Sequence, residues 1–466
     1  MPAYDRPPAP IAAQWRGQPD EQPSEQSSKH SDEQPSKQSS DSPDDSAPLP
    51  AWESVFNDGL LRELISEALA HNRDLRIAVQ RIDEARAVFG VAGADLLPTL
   101  GVQGATQRQQ LSARDSPTGQ RVISEQGRFR LGVGITAYEI DVWGRVRALR
   151  ESAAQQLLAS EDDARAVQIS LVGEVASSYY EALTYLSLRA SHEAQLHTGE
   201  RAAQLIERRR SQGLASELEV RQAQSLVLGL QAERAVADRG FVLALNRLER
   251  LAGKGLEPMR LQAAALDAEQ PLLPVRPGLP SALLTRRPDV RAAESRLKSF
   301  NANIGAARAA YLPRISLTGL LGFSSPQLGH LLRGGAKAWS FTPEVTLPLF
   351  DLGRRESQLA LAKAQRDIAV SQYEATVQQA FREVADALGS SEPISREVDT
   401  QRLRVANEAK RVELATLLYQ EGLDSYLEVL DAQRSLSAAQ QGFIRARLAK
   451  LNNGVSLYKA LGGGWG

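Results

Sequence analysis

The chain changes from a strand pattern to a helix pattern within residues 129–145, whose sequence is FRLGVGITAYEIDVWGR. Apolar residues alternate with Arg, Gly and Thr from Phe129 to Ala137, and this period of two indicates a β-strand with one apolar face. From Arg145 to about Ser211 no proline interrupts the sequence, which is compatible with a single helix roughly 100 Å long. Strands that lead into so long a helix predict an elongated, mainly α-helical protein with a small sheet.

The same arrangement recurs in the second half of the chain. Trp143-Gly144-Arg145 matches Leu352-Gly353-Arg354 at an offset of 209 residues (353 − 144), and Asn72-Arg73-Asp74 resembles Arg287-Pro288-Asp289 at an offset of 215 (289 − 74). Two tandem repeats are therefore predicted, each with the order helix, strand, strand, long helix, helix. The predicted division is 1–50 as an extended N-terminal segment with a polar tether, 51–257 as the first repeat, 258–280 as a Pro-rich linker and 281–466 as the second repeat.

Strand patterns in the second repeat occur at Ile315–Phe323 and Trp339–Leu349. The two repeats together offer four strands of about a dozen residues, a length that crosses a bilayer when the strands are tilted. Four strands cannot close a membrane barrel, and open sheet edges are not tolerated in lipid, so several copies of the chain must combine. The aromatic residues near the strands fit an interfacial girdle, although a soluble antiparallel sheet would also use them in its core.

The helices carry narrow apolar stripes, which are typical of coiled-coil packing. One stripe runs through Val175, Tyr179, Ala182 and Leu186, and its counterpart runs through Val377, Phe381, Val384 and Leu388. Pro393 is predicted to kink or break the second long helix. Gly213 and Gly422 are predicted to end the long helices and turn the chain back.

Composition excludes several classes of protein. The chain has 55 Lys and Arg against 56 Asp and Glu, and this balance argues against a nucleic-acid binder. It contains no cysteine, and no stretch of about 18 apolar residues predicts a membrane-spanning helix. Residues 17–50 are rich in Gln, Ser, Glu, Asp and Pro, which predicts a disordered tether. We find no catalytic constellation, cofactor motif or metal-ligand spacing, and therefore predict no enzyme.

Several long motifs resemble the TolC-like outer-membrane factors, in particular their OprM-like lipoprotein branch. They are LPSALLTRRPDV at 279–290, NIGAARAA at 303–310, YEIDVWGR at 138–145 and LYKALGGGW at 457–465. The resemblance covers about residues 52–465 and implies a homotrimer in the cell outer membrane, with a twelve-stranded β-barrel that continues into a periplasmic α-helical coiled-coil tunnel. It also implies that PAYDRP at 2–7 follows a lipidated cysteine in the natural protein.

The resemblance implies the passive exit duct of a tripartite drug-efflux pump of the resistance-nodulation-division type. The implied partners are a periplasmic adaptor protein, an inner-membrane proton-driven transporter and outer-membrane lipid. Two other functions stay open at this point: the exit duct of a protein-secretion system, and a soluble coiled-coil scaffold. The scaffold would explain the long helices but not the four strands.

Three carboxylates lie just beyond the turn at Gly422, which is the turn of the second repeat. They are Asp424, Glu428 and Asp431, at helical spacing i, i+4 and i+7. The first repeat has Ala215, Glu219 and Gln222 at the matching positions. Around a threefold axis the three carboxylates would form stacked acidic rings, so we predict a periplasmic gate. A solvated helix face is the simpler alternative.

The two turns are also candidate contacts for the adaptor, because the end of a helical hairpin is a natural docking surface. The predicted contact residues are Gly213, Leu214 and Ser216 in the first turn and Gly422, Leu423 and Ser425 in the second. Their alternative role is local, with the glycines ending one helix and Ser216 and Ser425 capping the next.

Overall fold

A computed structural model of the chain describes residues 4, 6, 7, 51–110, 123–262 and 283–464. The first repeat contains α1 (Trp52–Val55), α2 (Gly59–His71), α3 (Arg73–Ala94), β1 (Leu100–Gln110), β2 (Ile123–Glu139), α4 (Arg145–Ser211) and α5 (Glu217–Ala252), and the short helix α6 (Pro258–Gln262) follows it. The second contains α7 (Leu283–Arg286), α8 (Pro288–Ala309), β3 (Arg314–Ser325), a short 3-10 helix (Leu328–His330), β4 (Lys337–Thr346), α9 (Arg354–Gln420) and α10 (Tyr426–Ala460).

The predicted order of helix, strand, strand, long helix and helix is confirmed in both halves. The tether predicted at 17–50 lies outside the described residues. Within the segment predicted as a linker at 258–280, Pro258–Gln262 form α6, and residues 263–280 also lie outside the description.

The structure differs from the predicted elements in two details. Of the kink or break predicted at Pro393, the break does not occur, because the helix α9 continues through this residue. Gly389, whose carbonyl loses its intrahelical partner, is exposed like Pro393 itself, so water can satisfy that carbonyl. The fourth strand ends at Thr346 rather than Leu349, and Pro348, which has no amide hydrogen to donate, is the second residue after that end.

The chain forms two compact units. The first unit comprises Met1–Pro8, Gln80–Glu161 and Ala292–Glu374, and it contains an antiparallel sheet with the order β1-β2-β3-β4. The register places one apolar row across all four strands, formed by Val102, Val133, Leu321 and Trp339. These four side chains are 75%, 52%, 72% and 76% exposed within the chain, so the row is a surface feature.

The opposite face of the sheet carries small residues where the strands approach closely. A Cβ atom on Gly134 would lie 2.0 Å from the carbonyl oxygen of Gly319, and one on Gly322 would lie 2.1 Å from that of Leu131. No side chain fits at either position. The strands β1 and β4 form the two edges of this sheet.

The second unit comprises Ala9–Val79, Asp162–Arg291 and Ala375–Gly466. Its main core is formed where α2, α4, α5 and α10 meet, and it includes the fully buried Ile65, Tyr179 and Leu248. The hydroxyl of Tyr179 donates to Asp58 at 2.7 Å, and the other carboxylate oxygen of Asp58 caps α2 by accepting from the amide of Leu60 at 2.8 Å. The predicted stripe on α4 is confirmed as a packing seam, since Val175 and Tyr179 are buried in this core.

In each repeat a buried polar side chain donates a hydrogen bond to a carbonyl near the C-terminal end of the helix that follows the long helix, α5 or α10. In the first repeat the buried Asn72 donates through Nδ2 to the carbonyl of Leu251 at 2.9 Å. In the second, the buried Arg287 donates through Nη1 to the carbonyl of Ala460, also at 2.9 Å. Among the residues described, no helix is both long and apolar enough to span a membrane.

Candidate functional site

The candidate site is formed by two helical hairpins of the second unit, α4–α5 and α9–α10. Gly213 and Gly422 take the left-handed conformation, with φ of 75° and 73°, as predicted for residues that end a helix. The amide of Leu214 donates to the carbonyl of Arg209 at 2.8 Å, and that of Leu423 donates to the carbonyl of Leu418 at 2.9 Å. Both turns therefore share this helix-ending hydrogen bond.

The helices that follow the turns begin differently. Ser216 forms a capping box at the start of α5: its hydroxyl accepts from the amide of Glu219 at 3.2 Å, and its own amide donates to the carboxylate of Glu219 at 2.6 Å. Ser425 occupies the equivalent position before α10, but its side chain makes no capping bond. Its amide instead donates to the carboxylate of Asp424 at 2.7 Å.

The three predicted gate carboxylates are all exposed within the chain, but they do not share one helix face. Asp424 precedes α10, because the extended backbone of Ser425 separates it from the first helical residue, Tyr426. Glu428 and Asp431 lie on α10 and surround the guanidinium of Arg411 on α9. The structure therefore brings Glu428 and Asp431 together and leaves Asp424 in the turn.

Arg411 is the residue that our sequence reasoning missed. It pairs with Asp431, lies 4.0 Å from the carboxylate of Glu428 and 3.5 Å from that of Glu408, and donates to the hydroxyl of Ser435 at 3.4 Å. The hydrogen bond to Asp431 is the main cause of a raised Arg411 pKa, so the guanidinium stays charged.

The ends of the two hairpins pack against each other through a small apolar cluster. Its buried members are Ile206, Val220, Ala223, Tyr426, Val429 and Leu430. The guanidinium of Arg209 lies 5.0 Å from the ring centre of Tyr419, and that ring lies 5.3 Å from the ring of Tyr426. Burial raises the pKa of Tyr426 to about 12, so its hydroxyl is neutral at physiological pH.

Each turn also presents an exposed pair of leucines. Leu214 and Leu218 are 65% and 66% exposed in the first hairpin, and Leu423 and Leu427 are 75% and 54% exposed in the second. Leu214 and Leu423 are predicted contact residues, whereas Leu218 and Leu427 were not predicted. The 209-residue offset relates both pairs and was the signal that could have identified them. Apolar side chains exposed at a hairpin end indicate a surface for another protein.

Comparison with known proteins identifies the class. The sequence profile of the outer membrane efflux protein family matches residues 64–254 and 279–463, one segment in each repeat. The chain belongs to this family, whose members are channels. It is accordingly an outer-membrane component of an efflux pump, located in the outer membrane, and acts there with partner proteins.

Particular relatives agree with this assignment. The toluene efflux pump outer membrane protein TtgC of Pseudomonas putida is 40% identical over 465 residues, a match that covers 100% of this chain and 92% of the relative. Outer membrane protein OprJ of Pseudomonas aeruginosa is 38% identical, with 100% and 92% covered. The open state of the Neisseria gonorrhoeae MtrE outer membrane channel superposes with a TM-score of 0.82 at 31% identity, covering 100% of this chain and 98% of that one. The family match and the name of TtgC both indicate efflux rather than protein secretion or a soluble scaffold.

Proposed function

We propose that three copies of this chain form the exit duct of a tripartite efflux pump of the resistance-nodulation-division type. A periplasmic adaptor links the duct to an inner-membrane proton-driven transporter, and the duct passively releases drugs and other small toxic compounds. Its four strands per chain complete a twelve-stranded barrel that continues into a tunnel of α-helices. We also propose the division of the chain into 1–50, 51–257, 258–280 and 281–466.

The observation that carries this proposal is the four-stranded sheet with two open edges. Unpaired backbone groups at β1 and β4 would be costly in lipid, and pairing β4 of one copy with β1 of the next satisfies both edges. The exposed apolar row through Val102 and Trp339 would then face outer-membrane lipid.

A crosslinking experiment tests the trimer. The chain has no native cysteine, so Val102→Cys in β1 and Val345→Cys in β4 introduce the only thiols. Both positions are exposed within the chain, at 75% and 65%. Treatment of membranes with a short bis-maleimide is expected to give covalent dimers and trimers from the double variant. Either single variant is the control and should stay monomeric, because it has a thiol on only one side of each seam. Absence of any trimer from the double variant would contradict the proposal.

We propose further that Asp424, Glu428 and Asp431 form the periplasmic gate. Three copies around an axis would bring these exposed carboxylates into rings of like charge, which hold cations and narrow the entrance. Asp424→Ala and Asp431→Ala are each expected to raise single-channel conductance in planar bilayers. Unchanged conductance in both variants and in their double variant would remove this assignment.

We propose that the adaptor docks on the two turns through Gly213, Leu214, Ser216, Gly422, Leu423 and Ser425. The leucines support this, because Leu214 and Leu423 are 65% and 75% exposed among the described residues and so leave apolar surface open to a partner. Photo-crosslinkers attached at Leu214→Cys or Leu423→Cys are expected to capture a co-expressed adaptor. Leu243→Cys is the matched control, since Leu243 is 63% exposed on α5 and lies outside the turns. Equal capture from Leu243→Cys would argue against docking at the turns.

A further inference from the structure

Arg411 is held by acidic residues from both helices of the second hairpin. Asp431 and Glu428 approach it from α10, and Glu408 approaches it from its own helix, α9. The four groups carry one positive and three negative charges at neutral pH, a net charge of −2. The Arg411 side chain is 42% exposed, so the interaction is open to screening by salt.

The first hairpin has no such arrangement at the matching positions. Ala202 takes the place of Arg411, Gly199 that of Glu408 and Gln222 that of Asp431. Glu219, the counterpart of Glu428, is bound to Ser216 in the capping box. The arginine therefore occurs in the repeat that carries the extra carboxylates, where Glu428 makes no capping bond to Ser425.

We propose that Arg411 is a positioning residue of the gate, which holds Glu428 and Asp431 against α9 and limits the negative charge of the entrance. This inference rests on the gate proposed above and adds how its charge is controlled. Without the guanidinium the same cluster carries −3 in each chain, and the two carboxylates of α10 lose the group that orients them. The entrance then concentrates cations more strongly.

The sign of the effect of each substitution distinguishes an electrostatic role of Arg411 from a merely structural one. If Arg411 only stabilised the hairpin, removing either partner of the Arg411–Asp431 pair would loosen it and change the channel in the same direction. If Arg411 sets the charge, Arg411→Gln raises cation selectivity while Asp431→Asn lowers it. Arg411→Lys keeps the charge and is expected to restore selectivity close to that of the unaltered protein.

The measurement is the reversal potential of purified trimers in planar bilayers under a KCl gradient. Arg411→Gln is expected to raise the ratio of K⁺ to Cl⁻ permeability by about fourfold or more at low ionic strength. One unit of charge at about 10 Å in water changes the local concentration of each ion about twofold, in opposite directions, and a trimer loses three such charges. High salt should remove most of this difference. Size-exclusion chromatography checks that each variant remains trimeric.

Arg221→Gln is the matched control. Arg221 also follows a hairpin turn and pairs with Glu217 at 2.9 Å, but it belongs to the first hairpin. An equal rise in cation selectivity from Arg221→Gln, or no rise from Arg411→Gln, would overturn the inference. If Asp424→Asn and Asp431→Asn change the channel while Arg411→Gln does not, the gate stands and only this inference fails. If those carboxylate variants are silent, the gate itself fails, and the inference fails with it.

Discussion

At matching positions the two repeats share a backbone geometry but stabilise it with different side chains. At the end of the returning helix, Gly253 and Gly462 both have positive φ, and both lie against the residue that precedes the buried Asn72 or Arg287. Asn72 is neutral, and its Oδ1 also accepts from the amide of Leu75 at 2.9 Å. Arg287 is charged and needs two carboxylates, Asp289 and Glu383, at 2.6 Å and 2.8 Å. One geometry is thus stabilised by a neutral amide in one repeat and by a charge network in the other.

The hairpin ends also differ in chemistry, and there the difference involves the residues proposed for the gate. In the first repeat Glu219 is committed to the local cap of Ser216. In the second, Glu428 lies 4.0 Å from Arg411, and Ser425 makes no side-chain cap. The first hairpin therefore has the better capped helix start, whereas in the second the corresponding glutamate is one of three carboxylates around an arginine of α9. The first turn has its own ion pairs, in which Arg210 and Arg221 share Glu217, so the two ends differ in how their charges are arranged.

The largest effect on stability is expected from substitution of Arg287, the charged counterpart of Asn72. Arg287→Ala leaves two carboxylates and a backbone carbonyl without their common partner, and we expect a loss of about 3 kcal/mol in the free energy of unfolding. Asn72→Ala removes two neutral hydrogen bonds and should cost about 1–2 kcal/mol. Thermal unfolding of the purified protein in detergent compares the two variants directly. Equal losses of stability in the two variants would show that the charged Arg287 stabilises its repeat no more than the neutral Asn72 stabilises the other.

Much of this fold could be predicted from the sequence because it follows local rules. The period-two strands, the proline-free helices and the glycines at 213 and 422 each depend on neighbouring residues. The bounds of β4 were less accurate, since apolar alternation continues to Leu349 although Pro348 lies within that stretch. The repeat was visible because both halves keep the same residues at the turns.

The charged cluster could not be predicted in the same way. Arg411 is 20 residues from Asp431 (431 − 411), and only the turn at Gly422 brings them into contact. One arginine in a helix rich in Arg, Lys and Glu has no local signal that distinguishes it. The spacing i, i+4 and i+7 also placed Asp424 on the same helix face as Glu428, although Ser425 was itself a candidate cap and a cap at Ser425 leaves Asp424 outside α10.

A smaller effect is expected at the starts of α5 and α10. Ser216→Ala removes a capping hydroxyl and should cost about 1 kcal/mol locally, which corresponds to about fivefold faster amide hydrogen exchange in the first turn of α5. Ser425→Ala removes no capping bond and should leave exchange in α10 nearly unchanged. Hydrogen exchange followed by mass spectrometry resolves the two turns. A comparable acceleration at both would mean that the hairpins are not capped differently.

The smallest effect concerns a titratable residue that the second repeat lacks. His192 is 3% exposed on α4, and Gln401 occupies the matching position on α9. Its Nδ1 lies 3.3 Å from the carboxylate of Glu233 on α5, and Arg445 on α10 is the other charged group that acts on it. Burial is the main cause of a lowered His192 pKa, with Arg445 acting in the same direction and Glu233 opposing it.

Because the folded state disfavours the protonated imidazole, the unfolded chain binds the proton more readily. The stability that neutral His192 provides is therefore complete above about pH 6.5 and declines as pH falls from there through the lower pKa of the folded state. His192→Gln, which installs the residue of the second repeat, should reduce the drop in Tm between pH 7.5 and pH 5. Carboxylates that titrate in both proteins cancel in this comparison. An identical drop in Tm in the two proteins would show that burial of His192 does not make the stability of the protein depend on pH.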